Sequence, residues 1–465
     1  MIIKLEDALK INQDQNIDLY KKHINPGLSK AYSVFGYNDF EIASAEGSWL
    51  KLKNNKKILD LTSSLGVVNL GHNNPRIVDA ENFFNSQKFI DCQKFGVNKL
   101  QSVLANNISK ILNNNLTMSF FGTSGAEANE AGLKLSMAYN KGSKKKFITF
   151  SSSYHGKTLN SLSLTNLPDF QDSFVLGLKK ENIINLKFND VVGLQDCVNK
   201  HYSDINAIII EPIQGQTMEV ASICFMKKIE SLCKKHDILL FVDEIKCGLS
   251  RAREIFYYKN YNIKADILTI SKSLGGGKNA ISAMICDKKI FIKAYGSIDR
   301  SNIHTTTFFG LGKACASAIK TLEILNEDSF REKLHEKTIT VNKKLIELKE
   351  KYPRIIKSIK GDGLFIGIDF NLDFYLSLKL NKKLDNTLQA IIMASVIRYL
   401  LDHFNILMHF EKSNPSVLKF MPCLNINEEE LNFFFKNFEE FLNSVNKKIF
   451  INFIFKNIKN FKELL

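Results

Sequence analysis

A lysine set between a buried apolar run and a run of glycines is placed to act as a nucleophile, and Lys272 has that setting. It follows Ala265-Asp266-Ile267-Leu268-Thr269-Ile270 and opens Lys272-Ser273-Leu274-Gly275-Gly276-Gly277. Desolvation disfavours an ammonium and lowers its pKa, and glycines let the backbone turn tightly. Many lysines precede such turns, and Gly277-Lys278 is no nucleotide phosphate loop, because Asn279 stands where Ser or Thr would be. Asp243 closes the apolar run Ile238 to Val242. An acid there is costly unless a cation meets it. A protonated ring nitrogen would serve, and a helix cap or a metal are the plainer alternatives. Gly122-Thr123-Ser124-Gly125-Ala126 opens a helical stretch, Glu127 to Tyr139. Amides at a helix start suit a phosphate, or simply form an ordinary N-cap. Tyr154-His155-Gly156 follows the run Lys146 to Phe150, where an aromatic side chain can stack on a flat ring or pack in the core.

Singly these are weak signals; in order, each after its own strand, they are specific. An amine nucleophile, a carboxylate for a ring nitrogen, a phosphate cradle and a flat side chain are what pyridoxal 5′-phosphate requires of a protein.

The elements that must position them alternate. Lys146–Phe150, Ala207–Ile210, Ile238–Val242 and Ile267–Ile270 read as buried strands, and Cys224–His236 between two of them has helical spacing. Continuous apolar strands alternating with helices predict an α/β fold with a mainly parallel sheet covered on both faces. Ligands sit at the carboxyl ends of such strands. The chain up to about Leu50 is polar and irregular, with a hairpin near Glu46-Gly47. Beyond Leu322 come helical patterns and then Gly361-Asp362-Gly363, a turn entering a strand. A smaller α+β lobe from both termini is expected: residues 1–55 and 326–465 would build it, and 56–325 would form the large lobe. The basic, apolar tail KKIFINFIFKNIKNFKELL is expected to dock as a helix, a membrane-surface helix being the alternative.

Composition narrows the function classes. The 465 residues are 45% hydrophobic and 24% charged, as in globular proteins. The net charge of +15 comes from dispersed lysines, with no aromatic-interleaved basic motif, and so predicts a solvated surface and no nucleic-acid partner. Eight cysteines without a C-x-x-C pair or zinc spacing predict free thiols in a reducing compartment and no metal. The N-terminus lacks a secretory pattern and no run is long enough to span a bilayer, so a cytoplasmic location is expected.

From about Gly47 to Leu424 the sequence resembles the class III aminotransferases of ornithine, acetylornithine and putrescine type, which have pyridoxal-phosphate fold type I. The likeness rests on LDLTSSLGVVNLGHNNPRI, FFGTSGAEANEAGLKLS, SSSYHGKTLNSLSLT, AIIIEPIQGQ, ILLFVDEIKCGLSR, ADILTISKSLGGG, HTTTFFGLGKACASA and IKGDGLFIGIDF. It is most similar to the putrescine-type branch. The resemblance implies a large domain with a seven-stranded, mainly parallel sheet. It implies Lys272 as the Schiff-base lysine and proton shuttle, Asp243 on the pyridine nitrogen, and Ser124, Gly125 and Ala126 around the phosphate. It implies Tyr154, with His155 beside it, against the ring, Glu211 behind the cofactor and Lys246 near its phenolic oxygen. Thr307 would reach the phosphate of a neighbouring subunit, so a homodimer with shared sites is implied. The implied reaction moves an amino group from a primary amine or ω-amino compound to a keto acid, 2-oxoglutarate being typical.

The departures cluster. Lys246-Cys247 replaces a usual Gln-Thr, Gln216 a usual Glu, and Lys419 a usual Arg. In ornithine-type members that Glu and Arg form a gate, with the Arg gripping a substrate carboxylate; a lysine cannot grip one bidentately. Lys419 as a point charge, or another group in its place, is the expectation. A lyase, decarboxylase or racemase on the same fold is the alternative reaction.

Overall fold

The computed structural model describes residues 2–372 and 382–444. At its centre lies a seven-stranded sheet in the order Leu116–Gly122, Ser282–Asp287, Ile267–Ile270, Leu239–Asp243, Ile205–Ile210, Lys146–Phe150, Ile183–Leu186. The strand Ser282–Asp287 pairs antiparallel with both neighbours, and the remaining pairings are parallel. The inner strands Ile205–Ile210, Leu239–Asp243 and Ile267–Ile270 are buried along their whole length. That explains why they read as unbroken apolar runs without period-2 alternation. All four expected strands are present, within two residues of their expected bounds. The expected α/β fold with a seven-stranded, mainly parallel sheet is what the chain adopts.

Helices flank the sheet, among them Gly125–Tyr139 and Ile223–His236. The first is capped by Ser124, whose hydroxyl accepts from the Glu127 amide while the Glu127 carboxylate accepts from the Ser124 amide. Its inner face carries small residues, Ala128, Ala131, Gly132 and Ser136. A Cβ at Gly132 would lie 2.5 Å from the Phe241 ring, so the missing side chain sets how closely helix and sheet approach.

Two four-stranded sheets lie beside this body. One holds Ile42–Glu46, Trp49–Leu52, Lys57–Asp60 and Ile406–Leu407; the other holds Ile356–Asp362, Phe365–Phe370, Asn414–Phe420 and His409–Glu411. The first joins strands from both ends of the chain, with Ile406 in parallel register with Leu59. The hairpin expected near Glu46-Gly47 is there, with Glu46 opposite Trp49. The second predicted turn falls at Gly363-Leu364, between strands paired from Ile356/Phe370 to Asp362/Phe365.

One expectation fails. The chain before Leu50 is helical at Gln13–His23 and Pro26–Phe35. Each helix is preceded by an Asn whose side chain accepts from a first-turn amide, that of Gln15 in one and Leu28 in the other. The first buries no residue and its apolar period is weak; the second buries Ser29 and Val34. The tail expected to dock as a helix or lie on a membrane falls outside the described residues. Among those described, no helix is long and apolar enough to cross a membrane.

Gly132→Ala opposes two effects. It gains about 1 kcal/mol of helix propensity and loses about 1–3 kcal/mol to overpacking against Phe241. The expected outcome is a lower urea midpoint at unchanged slope; a midpoint raised by the propensity gain would show that helix and sheet can separate there without loss.

Candidate active site

The Leu239–Asp243 strand delivers Asp243 to the carboxyl edge of the sheet, where its side chain is buried. Oδ2 accepts from Asn129 Nδ2 at 2.8 Å and from His155 Nδ1 at 2.8 Å, and Oδ1 accepts from the Ile245 amide at 3.0 Å. Among the described residues no Lys or Arg pairs with it. Asn129 is itself fixed: its Nδ2 also donates to the His155 carbonyl, and its Oδ1 accepts from Thr269 Oγ1 at 2.9 Å. Thr269 is the register partner of Asp243 in the next strand. Sheet pairing, helix and loop thus converge on one carboxylate. On the far side of the same imidazole, buried His155 Nε2 has no partner.

Lys272 follows the Ile267–Ile270 strand and has a left-handed backbone, φ 45°. For a residue with a Cβ that conformation costs about 1–2 kcal/mol, and such strain concentrates where a side chain must be aimed. Burial and then repulsion from Lys246 pull its ammonium down to about 8 from the usual lysine value.

Both residues line one cavity of about 710 Å³. Ser124, Gly125, Ala126, Tyr154, His155, Glu211 and Lys246 line it too, so nine of the ten residues expected at the site share a single space. The tenth, Thr307, does not. It lies on an exposed loop outside this cavity, where its carbonyl accepts weakly from Cys92 Sγ.

The cavity fits pyridoxal phosphate. An uncompensated buried carboxylate matches a pyridinium N–H, and the amides of Gly125 and Ala126 begin a fifteen-residue helix. A Cβ at Gly125 would meet Ile245 at 2.8 Å, so only glycine keeps that corner of the cradle open. In the neighbouring turn Glu127 accepts from the Thr123 and Ser124 amides, at 2.7 and 3.0 Å. Burial opposes ionisation there, but these bonds hold its carboxyl below the usual value.

Glu211 sits behind the cavity. It accepts from the Tyr154 amide at 3.0 Å and the Gly215 amide at 2.9 Å, and burial pushes its carboxyl up. The Tyr154 ring meets Phe170 edge-on at 6.3 Å, which fixes one wall.

A family model, aminotransferase class-III, matches residues 34–442. The chain belongs to the class-III aminotransferases. It is accordingly a pyridoxal-phosphate-dependent transaminase. Solved structures show the same fold. Ornithine aminotransferase from Toxoplasma gondii ME49 superposes with a TM-score of 0.80 at 22% identity, covering 95% of this chain and 98% of that one. An (S)-enantioselective omega-transaminase from Thermomicrobium roseum gives 0.80 at 21%, covering 92% and 97%. Adenosylmethionine-8-amino-7-oxononanoate aminotransferase from Methanocaldococcus jannaschii gives 0.78 at 22%, covering 94% and 100%.

This aminotransferase holds its site with residues the sequence did not single out. Asn129 is one; its signal was a lone amide on a helix face otherwise of small and apolar residues. Arg251 is another. Fully buried, it donates from Nε to Asn69 Oδ1 at 3.1 Å, and from Nη1 to the carbonyls of Leu364 at 3.2 Å and Pro422 at 2.5 Å. It ties the loop after Asp243 to the C-terminal strands. Glu244 accepts from the Tyr257 and Tyr258 amides, and burial pushes its carboxyl to about 8. Glu411 is the third, and no spacing rule could have found it.

The lowered Lys272 pKa has a visible consequence in cofactor-free protein. Selective acylation of Lys272, read by mass spectrometry across pH, should rise with a midpoint near 8 while exposed lysines follow near their ordinary value. Lys246→Gln removes a like charge, favours the protonated form and should move that midpoint upward. A Lys272 midpoint equal to that of surface lysines would contradict this reading of the site.

Proposed function

We propose that this transaminase takes an amino group from a primary amine or ω-amino compound and delivers it to a keto acid, with 2-oxoglutarate as acceptor. One observation carries this reading: Lys272, an amine with its pKa pulled to about 8, shares a cavity with a buried carboxylate that has no Lys or Arg partner among the described residues. Pyridoxal phosphate bound there supplies an aldehyde for the amino group and a ring that accepts the electron pair of a broken C–H bond.

Each residue then has a task. Lys272, with its pKa brought down to about 8, is more readily a free amine than an ordinary lysine and would accept a proton at Nζ from the carbon bearing the amino group and return it to the adjacent carbon across the nitrogen. Its rigid, strained backbone limits where Nζ can point. Asp243 would face the ring nitrogen, oriented by Asn129 and His155. Gly125 and Ala126 would receive the phosphate with their amides, and Ser124 with its hydroxyl, its own amide being held by Glu127. Tyr154 covers one face of the ring and helps exclude water. Glu211 fixes the Tyr154 and Gly215 backbone, and Lys246 would be the cation nearest the phenolic oxygen of a bound cofactor.

A dimer completes the proposal. The segment 89–101 is laced to 306–310 by Lys94 Nζ to the Thr306 carbonyl, Asn98 Nδ2 to the Gly310 carbonyl and Gln101 Nε2 to the Phe309 carbonyl. On it Phe95, Val97 and Phe308 stand 90%, 84% and 55% exposed. Large exposed apolar side chains grouped this way favour a protein partner. A second copy would bury them and bring exposed Thr307 toward a neighbouring cradle. Residues 56–325 would be the larger lobe, and 1–55 with 326–465 the smaller. The free thiols, five of them buried, fit a cytoplasmic setting.

The test is the near-visible absorption of pyridoxal-phosphate-loaded protein titrated with glutamate, then with putrescine and ω-amino acids. At least one donor should convert the cofactor band to that of pyridoxamine phosphate, and Lys272→Ala should slow this by at least about a hundredfold. A band that no amine converts would overturn the donor assignment.

A further inference from the structure

Lys419 stands where the family resemblance puts a carboxylate-gripping arginine, yet it cannot meet a substrate. Its side chain is fully buried and does not line the cavity. Nζ donates to the Gly215 carbonyl at 2.6 Å and to Glu411 Oε1 at 2.7 Å. Burial and repulsion from Lys246 pull this ammonium down. The 2.7 Å contact to Glu411 opposes that shift, and both lysines hold the Glu411 carboxyl far below the usual carboxyl range against its own burial. The expectation that Lys419 acts on substrate as a point charge is therefore not met: its charge is spent inside the protein.

Lys246 is differently placed. It lines the cavity with its side chain 13% exposed. Nζ donates to the Gly215 carbonyl at 2.9 Å and makes a longer contact of 3.3 Å with Glu411 Oε1. An ammonium has three N–H donors; two of these meet Gly215 and Glu411, and the Phe365 ring centroid lies 6.0 Å from Nζ. Glu411, itself in the cavity lining, thus serves two lysines with one carboxylate, and Lys246 is the one of the two that reaches the cavity. Space is kept for it by Gly215, where a Cβ would lie 2.7 Å from Lys246 Cδ. Gln216, also in the lining, is neutral and accepts from Ser413 Oγ at 2.6 Å, so it does not compete for the ammonium.

The other cavity cations are at the rim. Lys157 is exposed and lies over the Phe170 ring, 4.3 Å from its centroid. Lys278 is exposed and bonded to Asn73. Lys272 is the reacting amine.

We propose that Lys246 is the carboxylate anchor of this transaminase, holding the acid group of the keto-acid acceptor or of an ω-amino acid donor, while Lys419 serves as the buried counterion that fixes Glu411. The anchor has moved from the strand Asn414–Phe420 to the loop after Asp243. The inference rests on the transaminase reading for the substrate's identity, but not for the existence of an anion site. A carboxylate approaching Lys246 replaces the long Glu411 contact with a short charge-assisted bond. A diamine finds a like charge in the same place. The cavity therefore favours substrates whose end remote from the reacting amine is an acid.

Binding without turnover tests this separately from catalysis. Glutarate, an unreactive dicarboxylate, and glutaramide, its neutral counterpart, are titrated calorimetrically into the pyridoxal-phosphate-loaded full chain. Wild type should prefer glutarate by about tenfold or more, the range of one charge-assisted hydrogen bond. Lys246→Gln should erase the preference and Lys246→Arg retain it; Lys157→Gln should retain it as well. A preference that survives Lys246→Gln, or is lost in Lys157→Gln instead, overturns the assignment, as does a wild type that binds both compounds equally. Because no amino group moves in these titrations, a failed transamination half-reaction would leave the measured anion preference unaffected.

Discussion

A carboxylate buried at the end of an apolar strand has to be compensated, and much of the architecture follows from how Asp243 is. Desolvating a lone carboxylate costs several kcal/mol. Two side-chain donors, Asn129 and His155, and one backbone amide meet this cost only in part. Those donors come from a helix and a loop that follow different strands, so helix, loop and sheet must be in register before the carboxylate is satisfied. Thr269 closes the circuit by holding Asn129 from the adjacent strand. The charge left over is what a protonated ring nitrogen answers. A fold that leaves an anion waiting for a cation gains stability when that cation binds.

Around that anion, the positive groups are graded by depth. Lys419 is sealed in and tied to Glu411, Lys246 is largely buried but faces the cavity, and Lys157 is exposed at its mouth. Only the middle one can meet a bound molecule while remaining dry enough for a charge–charge contact to count. It also acts on Lys272, since a second ammonium nearby favours the free amine. One side chain therefore bears on both substrate charge and base strength. The replacements at 216, 246 and 419 make sense as one change: moving the cation from the strand to the loop requires a neutral side chain at 216 and a fixed counterion at 411.

Where the residues carried a strong local signal, the sequence was legible. The inner strands could be read because burial on both faces removes alternation, and the glycine turns because few residues tolerate them. The cluster of Lys272, Asp243, Ser124, Gly125, Ala126, Tyr154 and His155 in one cavity could be anticipated from their placement after strands, while Glu211 and Lys246 were implied only by the family resemblance. The helix Gln13–His23 buries no residue and so carries a faint period, whereas Pro26–Phe35 had a readable apolar face and an Asn-Pro start that were passed over. The fate of Lys419 was not legible at all. Whether a lysine on a strand faces a cavity or a neighbouring carboxylate depends on Glu411, eight residues earlier on a paired strand, and spacing says nothing of that contact. Arg251 likewise reads as a surface residue until its three carbonyl and amide partners, from distant parts of the chain, are assembled around it.

The central claim is that Lys272 is the residue through which this chain holds its cofactor, and borohydride reduction tests it most directly. Reduction of the pyridoxal-phosphate-loaded protein, followed by digestion and mass spectrometry, should place a single stoichiometric phosphopyridoxyl group on the peptide containing Lys272, and none on that peptide's counterpart in Lys272→Ala. Stoichiometric label on Lys246, Lys278 or any other lysine, or no stoichiometric label at all, would contradict the account.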